Sequence, residues 1–464
     1  MNTVKQIKKF MEPKSVAIFG VSSKTTGKGS LNILQHLVGY GYHGKLYPIN
    51  PNASKIMGIK CYSTIKEVPE KCDLAIINLP RQVIPGIVEE CAESGVDSVV
   101  IATQGFADAG DEEGKKLQHH LDEIIERTGI RIMGPNSLGT ANAFSNFSSS
   151  FVRLSMERNP IGVICQTGFF VVGYPSLKSA GKVIDLGNGC DIDFSEAIHY
   201  FEEDKDIRVI ALHIEGTNAG QKLLEAATAT SRKKPVVALK TGRSKEAARS
   251  VQSHSGALAG SDEIWDAGLR QSGIIRVEDV EDLAETVKSF ASLPPMRGKG
   301  LGIVTYSGAA GIMCVDACQR YGLEVPELSQ STVDQLAPLC PAWQELANPV
   351  DIWPAIMVER KASMPEVEET MTDVLLNDPR IDAVLCVISE LFTPGEVRSL
   401  KPMVKRLARS HPDKPLVFHL YGPFAAESKS ELEGTGKTRV FDSPDRAIKA
   451  LSRLATYSSS LSID

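Results

Sequence analysis

Short runs of β-branched and aliphatic residues alternate along the chain with longer amphipathic stretches, almost from end to end. That rhythm predicts parallel strands joined by crossover helices, an α/β chain. The runs SVAIFG (15–20), KLYPI (45–49), DLAIINL (73–79), DSVVIA (97–102) and IRIM (130–133) predict five strands of a first unit that ends near residue 143. A bridge rich in serine and phenylalanine, FSNFSSSF (144–151), follows it. A second set of elements runs from about 160 to 292, and SLPPMRGKG (292–300) has the composition of a linker. A third set begins at 300 and closes near 457, before the polar tail SSSLSID.

The second and third sets form a diverged repeat. IGVICQTG (161–168) matches LGIVTYSG (301–308), KPVVALKTG (234–242) matches KPLVFHLYG (414–422), and IIRVEDVEDLAETV (274–287) matches TRVFDSPDRAIKAL (438–451). Thirty-four positions separate Gly242 from Arg276, whereas 17 separate Gly422 from Arg439. The second unit therefore carries a surplus segment, RSKEAARSVQSHSGALAGSD (243–262), that the repeat does not need for folding. Long loops in compact domains are functional or disordered, and the small residues around a single His point to function.

A length of 464 residues fits three domains at roughly 150 residues each. The chain is 42% hydrophobic and 23% charged, with a net charge of −6 and no long basic run. Binding to a nucleic-acid backbone, which needs clustered Lys and Arg, is thereby disfavoured. No segment approaches the ~20 apolar residues of a membrane helix, and the N-terminal apolar run is too short for a signal peptide. Nine cysteines stand singly, without zinc-type spacing, apart from Cys314 and Cys318 one helical turn apart. This reads as reduced thiols in a cytoplasmic protein and predicts no metal site.

Candidate chemistry gathers where predicted strands end. After the first strand, Gly20, Ser22, Ser23, Lys24, Gly27 and Lys28 lead into a helix, a segment able to offer backbone N–H groups and charge to a phosphate. The same glycines would also serve a plain tight turn. The spacing is not G-x-G-x-x-G, and Asn50-Pro51 stands where a dinucleotide ribose would want an acidic residue, so a dehydrogenase loses ground. Polar turns recur at Asn50-Pro51, at Thr103-Gln104-Gly105-Phe106 and at Gly134-Pro135-Asn136-Ser137. Four such loops at one sheet edge predict an extended, nucleotide-like ligand.

In the second unit His254 lies within QSHSGALAG, flanked by Ser253, Ser255 and Gly256. A neutral imidazole is a competent nucleophile near neutral pH, and phosphoryl chemistry on it needs reach and an anion cradle. Two helix starts offer cradles, Thr167-Gly168 and Ser307-Gly308, although close strand-to-helix turns would want the same glycines. Glu215 ends a predicted strand in ALHIEG (211–216), where a carboxylate could orient a histidine or simply meet solvent. His213, inside that strand, has no freedom to swing.

The segment GRSKEAARSVQSHSGALAGSDEIWDAGLRQSGIIRV (242–277) closely resembles the phosphohistidine segment of the ADP-forming acyl-CoA synthetases, relatives of succinyl-CoA synthetase. The resemblance extends over essentially the whole chain. It implies an N-terminal Rossmann-like CoA-binding domain (1–143) followed by two flavodoxin-like parallel-sheet domains (144–293 and 298–464). It implies that His254 is phosphorylated with Glu215 as its carboxylate partner, and that Gln166-Thr167-Gly168 and Ser307-Gly308 cradle the phosphoryl group. Asn348-Pro349-Val350-Asp351 matches a further family stretch. CoA would be held by the 20–28 turn, Asn50, Pro51, Thr103, Gln104, Gly105 and Asn136. The chain departs from the family at Ser137, often Cys, and at Phe169 and Phe170, where small or aliphatic residues are usual, which points to these two as bordering the acyl pocket. No Walker A loop is present, so the resemblance implies a separate ATP-grasp subunit that binds ATP/ADP with Mg2+ and forms a hetero-oligomer. The expected activity is acid–CoA ligation through a phosphohistidine and an acyl phosphate. The rival reading is a non-catalytic CoA- or acyl-CoA-sensing protein of the same fold.

Overall fold

The computed structural model describes residues 3–21, 31–168, 180–244, 246–247, 261–390 and 400–461. Two compact units emerge, Met1–Val287 and Lys288–Asp464. In the first unit the expected runs become β1 (Ser15–Phe19), β2 (Lys45–Ile49), β5 (Leu74–Ile77), β6 (Ser98–Ile101) and β7 (Arg131–Met133), with a small hairpin of β3 (Lys55–Ile56) and β4 (Ile59–Lys60) between. The five long runs form one parallel sheet in the order β2-β1-β5-β6-β7.

Every residue of β1, β5 and β6 is buried, as expected when helices cover both faces of a parallel sheet. Alternate residues serve opposite layers. Val16, Ile18, Leu74 and Ile76 pack with Ile7 and Phe10 of the helix Thr3–Met11, whereas Ala17, Phe19, Ala75 and Ile77 pack with Val88 and Leu121. The outer side of β2 is covered: the Tyr62 amide donates to the Pro48 carbonyl at 3.0 Å, and the Asn50 amide donates to the Tyr62 carbonyl at 2.9 Å.

A second sheet in the same unit contains β8 (Gly139–Asn142), β9 (Phe147–Ser148), β10 (Ile161–Cys165), β11 (Lys182–Asp185), β12 (Val209–Ile214), β13 (Val236–Lys240) and β14 (Ile275–Val277). Their order is β14-β13-β12-β10-β11-β8-β9, parallel except at β11–β8 and β8–β9. The stretch that sequence pattern marked as a bridge thus supplies half of a hairpin, too short to show a period of its own. Arg131 joins β7 to this sheet's connections, donating to Asp191 and Glu196 at 2.8 Å each with its side chain 16% exposed.

The second unit holds β15 (Leu301–Thr305), β16 (Val350–Asp351), β17 (Ala383–Ser389), β18 (Leu416–Tyr421) and β19 (Arg439–Phe441), ordered β16-β15-β17-β18-β19 and parallel throughout. This order repeats β11-β10-β12-β13-β14 strand for strand, so the repeat in sequence is a repeat in topology. Its supports repeat too. Lys234 donates to the Phe201 and Asp204 carbonyls, and Lys414 to those of Leu376 and Asp378, tying the end of an earlier helix to the start of β13 and of β18 respectively.

Candidate active site

At the first sheet the described ligand candidates stand beyond the carboxyl ends of β1, β2, β6 and β7, where open parallel sheets bind ligands. Gly20 turns with φ 82°, a conformation only glycine adopts without strain. The Asn50 side chain donates to the Val21 carbonyl at 2.5 Å and ties two of these loops together. Thr103 donates to the Leu79 carbonyl at 2.7 Å. Gly105 donates its N–H to the Asp108 carboxylate at 3.0 Å, and its carbonyl accepts from Arg81 at 2.7 Å. Asn136 has φ 59° and its amide donates to the Thr103 carbonyl at 2.9 Å. Pro51 and Gln104 lie in the same loops. Ser22, Ser23, Lys24, Gly27 and Lys28 lie outside the described residues.

In the second sheet β10 and β12 are neighbours, which brings Gln166 beside Glu215. The Gln166 carboxamide oxygen accepts the N–H groups of Glu215 at 2.8 Å and Gly216 at 3.2 Å, and its NH2 donates to the Gly216 carbonyl at 2.8 Å. One side chain therefore fixes the turn that carries Glu215 against the turn that carries Thr167 and Gly168. Gly168 could not be another residue without movement, because a Cβ there would lie 2.2 Å from Leu138. His254, Phe169 and Phe170 lie outside the described residues. The feet of the surplus segment are tied: Arg243 donates to Asp262 at 3.3 Å, and Arg276 donates to the same carboxylate. Burial works against the Asp262 carboxylate, but Arg276 and Arg243 outweigh it and hold it below its usual range.

Two charged side chains at this edge were not anticipated. Lys240, only 2% exposed, ends β13, and its ammonium donates to the Glu215 carbonyl at 2.8 Å and to the Thr241 carbonyl. Burial pulls it down to about 8, against the raising influence of Asp262 and Glu215. Asp185, 1% exposed, ends β11 and accepts the N–H groups of Leu138 at 2.7 Å and Gly187 at 3.1 Å. Burial pushes it up to about 7 despite those two donors. A charged residue closing an apolar strand looks solvent-facing in sequence. The repeat held the one signal, since Lys240 falls opposite Leu420. His213 is buried, with Nε2 3.1 Å from the Thr241 hydroxyl, and burial lowers it to about 4, so it stays neutral and cannot swing.

The second unit presents the corresponding edge. Ser307 precedes the helix Gly308–Tyr321 without capping it through its side chain, and no acidic residue occupies the first turn. Among the described residues no side-chain cap takes the first N–H groups of that helix. A Cβ at Gly308 would meet nothing nearer than Asp351 at 3.7 Å. Asn348 laces the first half of β15, away from this edge, accepting from the Ile303 amide and donating to the Leu301 carbonyl.

A cleft of about 280 Å³ opens in the first unit between the helix Glu112–Thr128 and the loops after β11 and β12. Gln118 and Asp122 line one wall, Leu186, Ile192 and Phe194 another, and Gln166 and Gly216 reach it from the Glu215 turn.

Family models match both parts of this unit. A CoA-binding domain model covers residues 14–143, and a succinyl-CoA ligase-like flavodoxin domain model covers 158–290. The chain is 32% identical to acetate–CoA ligase [ADP-forming] II of Archaeoglobus fulgidus over 98% of its own length and 67% of that protein. It is 31% identical to the alpha subunit of acetate–CoA ligase [ADP-forming] I of Pyrococcus furiosus, over 96% of each chain. Among solved structures, the dinucleotide-forming acetyl-coenzyme A synthetase 1 of Candidatus Korarchaeum cryptofilum, in complex with phosphate and ADP, superposes with a TM-score of 0.85 at 27% identity, over 98% of this chain and 97% of that one.

Proposed function

Because this chain belongs to the ADP-forming acid–CoA ligases, we propose that it joins a small carboxylic acid to CoA at the expense of ATP, or runs the same steps backwards to make ATP. The observation that carries this reading is the lacing of Glu215 to the Gln166-Thr167-Gly168 turn, at the sheet edge from which the His254 segment departs. His254 would take a phosphoryl group from ATP and pass it to the acid, and the thiol of CoA would capture the acyl phosphate and release phosphate. Glu215 holds the imidazole and balances the positive charge that develops on it. The cradles at Thr167-Gly168 and Ser307-Gly308 offer backbone N–H groups to the phosphoryl oxygens.

CoA occupies the edge of the first sheet in this reading, held by Gly20, Asn50, Pro51, Thr103, Gln104, Gly105 and Asn136 together with the 22–28 segment. ATP and Mg2+ bind on a separate ATP-grasp subunit, a reading supported by the near-complete coverage of a relative named as an alpha subunit. The boundaries 1–143, 144–293 and 298–464, the cytoplasm as location, and Phe169 and Phe170 as borders of the acyl pocket belong to the same proposal. Among the described residues no helix is long and apolar enough to cross a membrane.

Incubation with an ATP-grasp partner and labelled Mg-ATP should place an acid-labile, base-stable label on His254. His254→Ala should abolish both label and thioester while leaving CoA affinity nearly unchanged in calorimetry. Thioester formed by that variant at the parent rate would overturn the role of His254, and tight NAD binding with no CoA signal would overturn the CoA site. A parent that binds CoA but forms neither label nor thioester would favour the non-catalytic reading.

A further inference from the structure

We infer that Lys240 is a positioning residue for this reaction: its buried ammonium holds the main chain of Glu215 and offsets the charge of the Glu215 carboxylate. The inference rests on the reading of His254 and Glu215 as the phosphoryl-carrying pair, and it adds a residue to that site.

Register brings Lys240 opposite Ile214, the residue before Glu215, so the lysine meets the Glu215 turn as β12 ends. Its hydrogen bonds go to two main-chain carbonyls, and the Trp265 ring lies 5.3 Å from the ammonium. Burying a cation is costly unless it is well satisfied, so a lysine here needs a reason. The fold does not supply one. At the matching place in the duplicated sheet stands Leu420, 7% exposed, in the strand that pairs with β17 as β13 pairs with β12. The unit with the histidine segment has a buried cation, and the unit without it has a leucine.

Among the described residues, the charged groups that act on the ammonium are Asp262 at the start of the helix Asp262–Gln271, Arg276 on β14 and Glu215 after β12. His213, on β12, is kept neutral beside it. Lys240 beneath the turn adds a positive charge beside Glu215 and Asp262 where the phosphoryl group approaches. When an acyl phosphate phosphorylates His254, its P–O bond breaks and the carboxylate leaves with the electron pair as the P–N bond forms. The imidazole becomes cationic, and its remaining N–H proton is shared with Glu215. Lys240 keeps Glu215 in place for that sharing without touching the reacting atoms.

The test needs this chain alone. With labelled phosphate and a panel of short-chain and aromatic acyl-CoA thioesters, reversal of acid activation should label His254 in the parent. Lys240→Met should label roughly 10- to 100-fold more slowly, the equivalent of one charged hydrogen bond, with CoA affinity close to the parent and a melting temperature lowered because two main-chain carbonyls lose their donor. Lys240→Arg should restore much of the rate. The parent rate should fall as pH rises past about 8, where the ammonium loses its proton, and the arginine variant should not show that fall because guanidinium stays protonated. Labelling of Lys240→Met at the parent rate, or the same alkaline fall in parent and Lys240→Arg, would overturn the role of Lys240. A parent that takes no label from any thioester would instead overturn the phosphohistidine reading beneath it, and the inference with it.

Discussion

Asp185 shows how a single buried carboxyl ties stability to pH. Both of its oxygens accept main-chain N–H groups, so Asp185→Asn must turn an NH2 toward one of those donors. The substitution should cost about 1–3 kcal/mol, the usual penalty for a buried donor left unmet. Burial raises the folded-state pKa to about 7, above the ordinary value of 3.8. Between those two pH values the unfolded parent binds fewer protons than the folded one, so parent stability falls as pH rises through that window. The variant lacks this slope. Melting temperatures at pH 5 and pH 8 should therefore show the cost of Asp185→Asn shrinking at the higher pH. A cost that is the same at both pH values would mean that the carboxylate is already ionised in the folded protein at pH 5. Asp185 was not legible in the sequence, and Lys240 only through its place opposite Leu420 in the repeat, because burial of a strand-end charge depends on what the following loops fold over it. Glu215 and Gln166 were legible, since a strand-end position and a helix start follow from local pattern alone.

Elements that look alike in sequence part company in space. Thr167-Gly168 and Ser307-Gly308 are equivalent in the repeat, yet only Gly168 is pressed against a neighbour. Gly168→Ala should push the half-buried Leu138 side chain aside and cost about 1 kcal/mol, the low end of overpacking, whereas Gly308→Ala should leave the melting temperature nearly unchanged. A ligand that needs backbone approach at the start of the helix Gly308–Tyr321 would still feel the added methyl. A fall in phosphoryl transfer for Gly308→Ala at unaltered stability would separate the two roles, and equal melting losses in both variants would refute the distinction. The five strands of the first sheet were predicted to within two residues at each end, because their apolar runs are continuous. The hairpin of β8 and β9 was not, because strands of four and two residues carry no period of their own.

At the scale of the first unit, its two sheets are held partly by charge. Arg131 bridges Asp191 and Glu196, and its side chain is mostly buried along with theirs. Removing one member of such a group leaves the others uncompensated, at a cost of about 3–5 kcal/mol. Arg131→Ala should therefore lower the melting temperature markedly, and Asp191→Asn should lower it less, because Glu196 remains to pair with the arginine. Equal losses in the two variants would show that Glu196 does not compensate for the loss of Asp191, and an Asp191→Asn variant as stable as the parent would show that the arginine stem matters and its charge does not. The duplication was the most legible large feature: three matched segments in sequence became one strand order used twice.

The strand lengths at the sheet margins bear on how the protein behaves in concentrated solution. Among the described residues, five of the six outermost strands of the three main sheets are only two or three residues long: β7, β9, β14, β16 and β19. The sixth, β2, has five residues, carries Pro48 and is already occupied along its outer side by Tyr62. A foreign strand looking for a row of open N–H and C=O groups finds little to pair with. Self-association of the folded chain would then have to proceed through side-chain surfaces, which are selective, and not through strand addition, which is open-ended and leads to fibres.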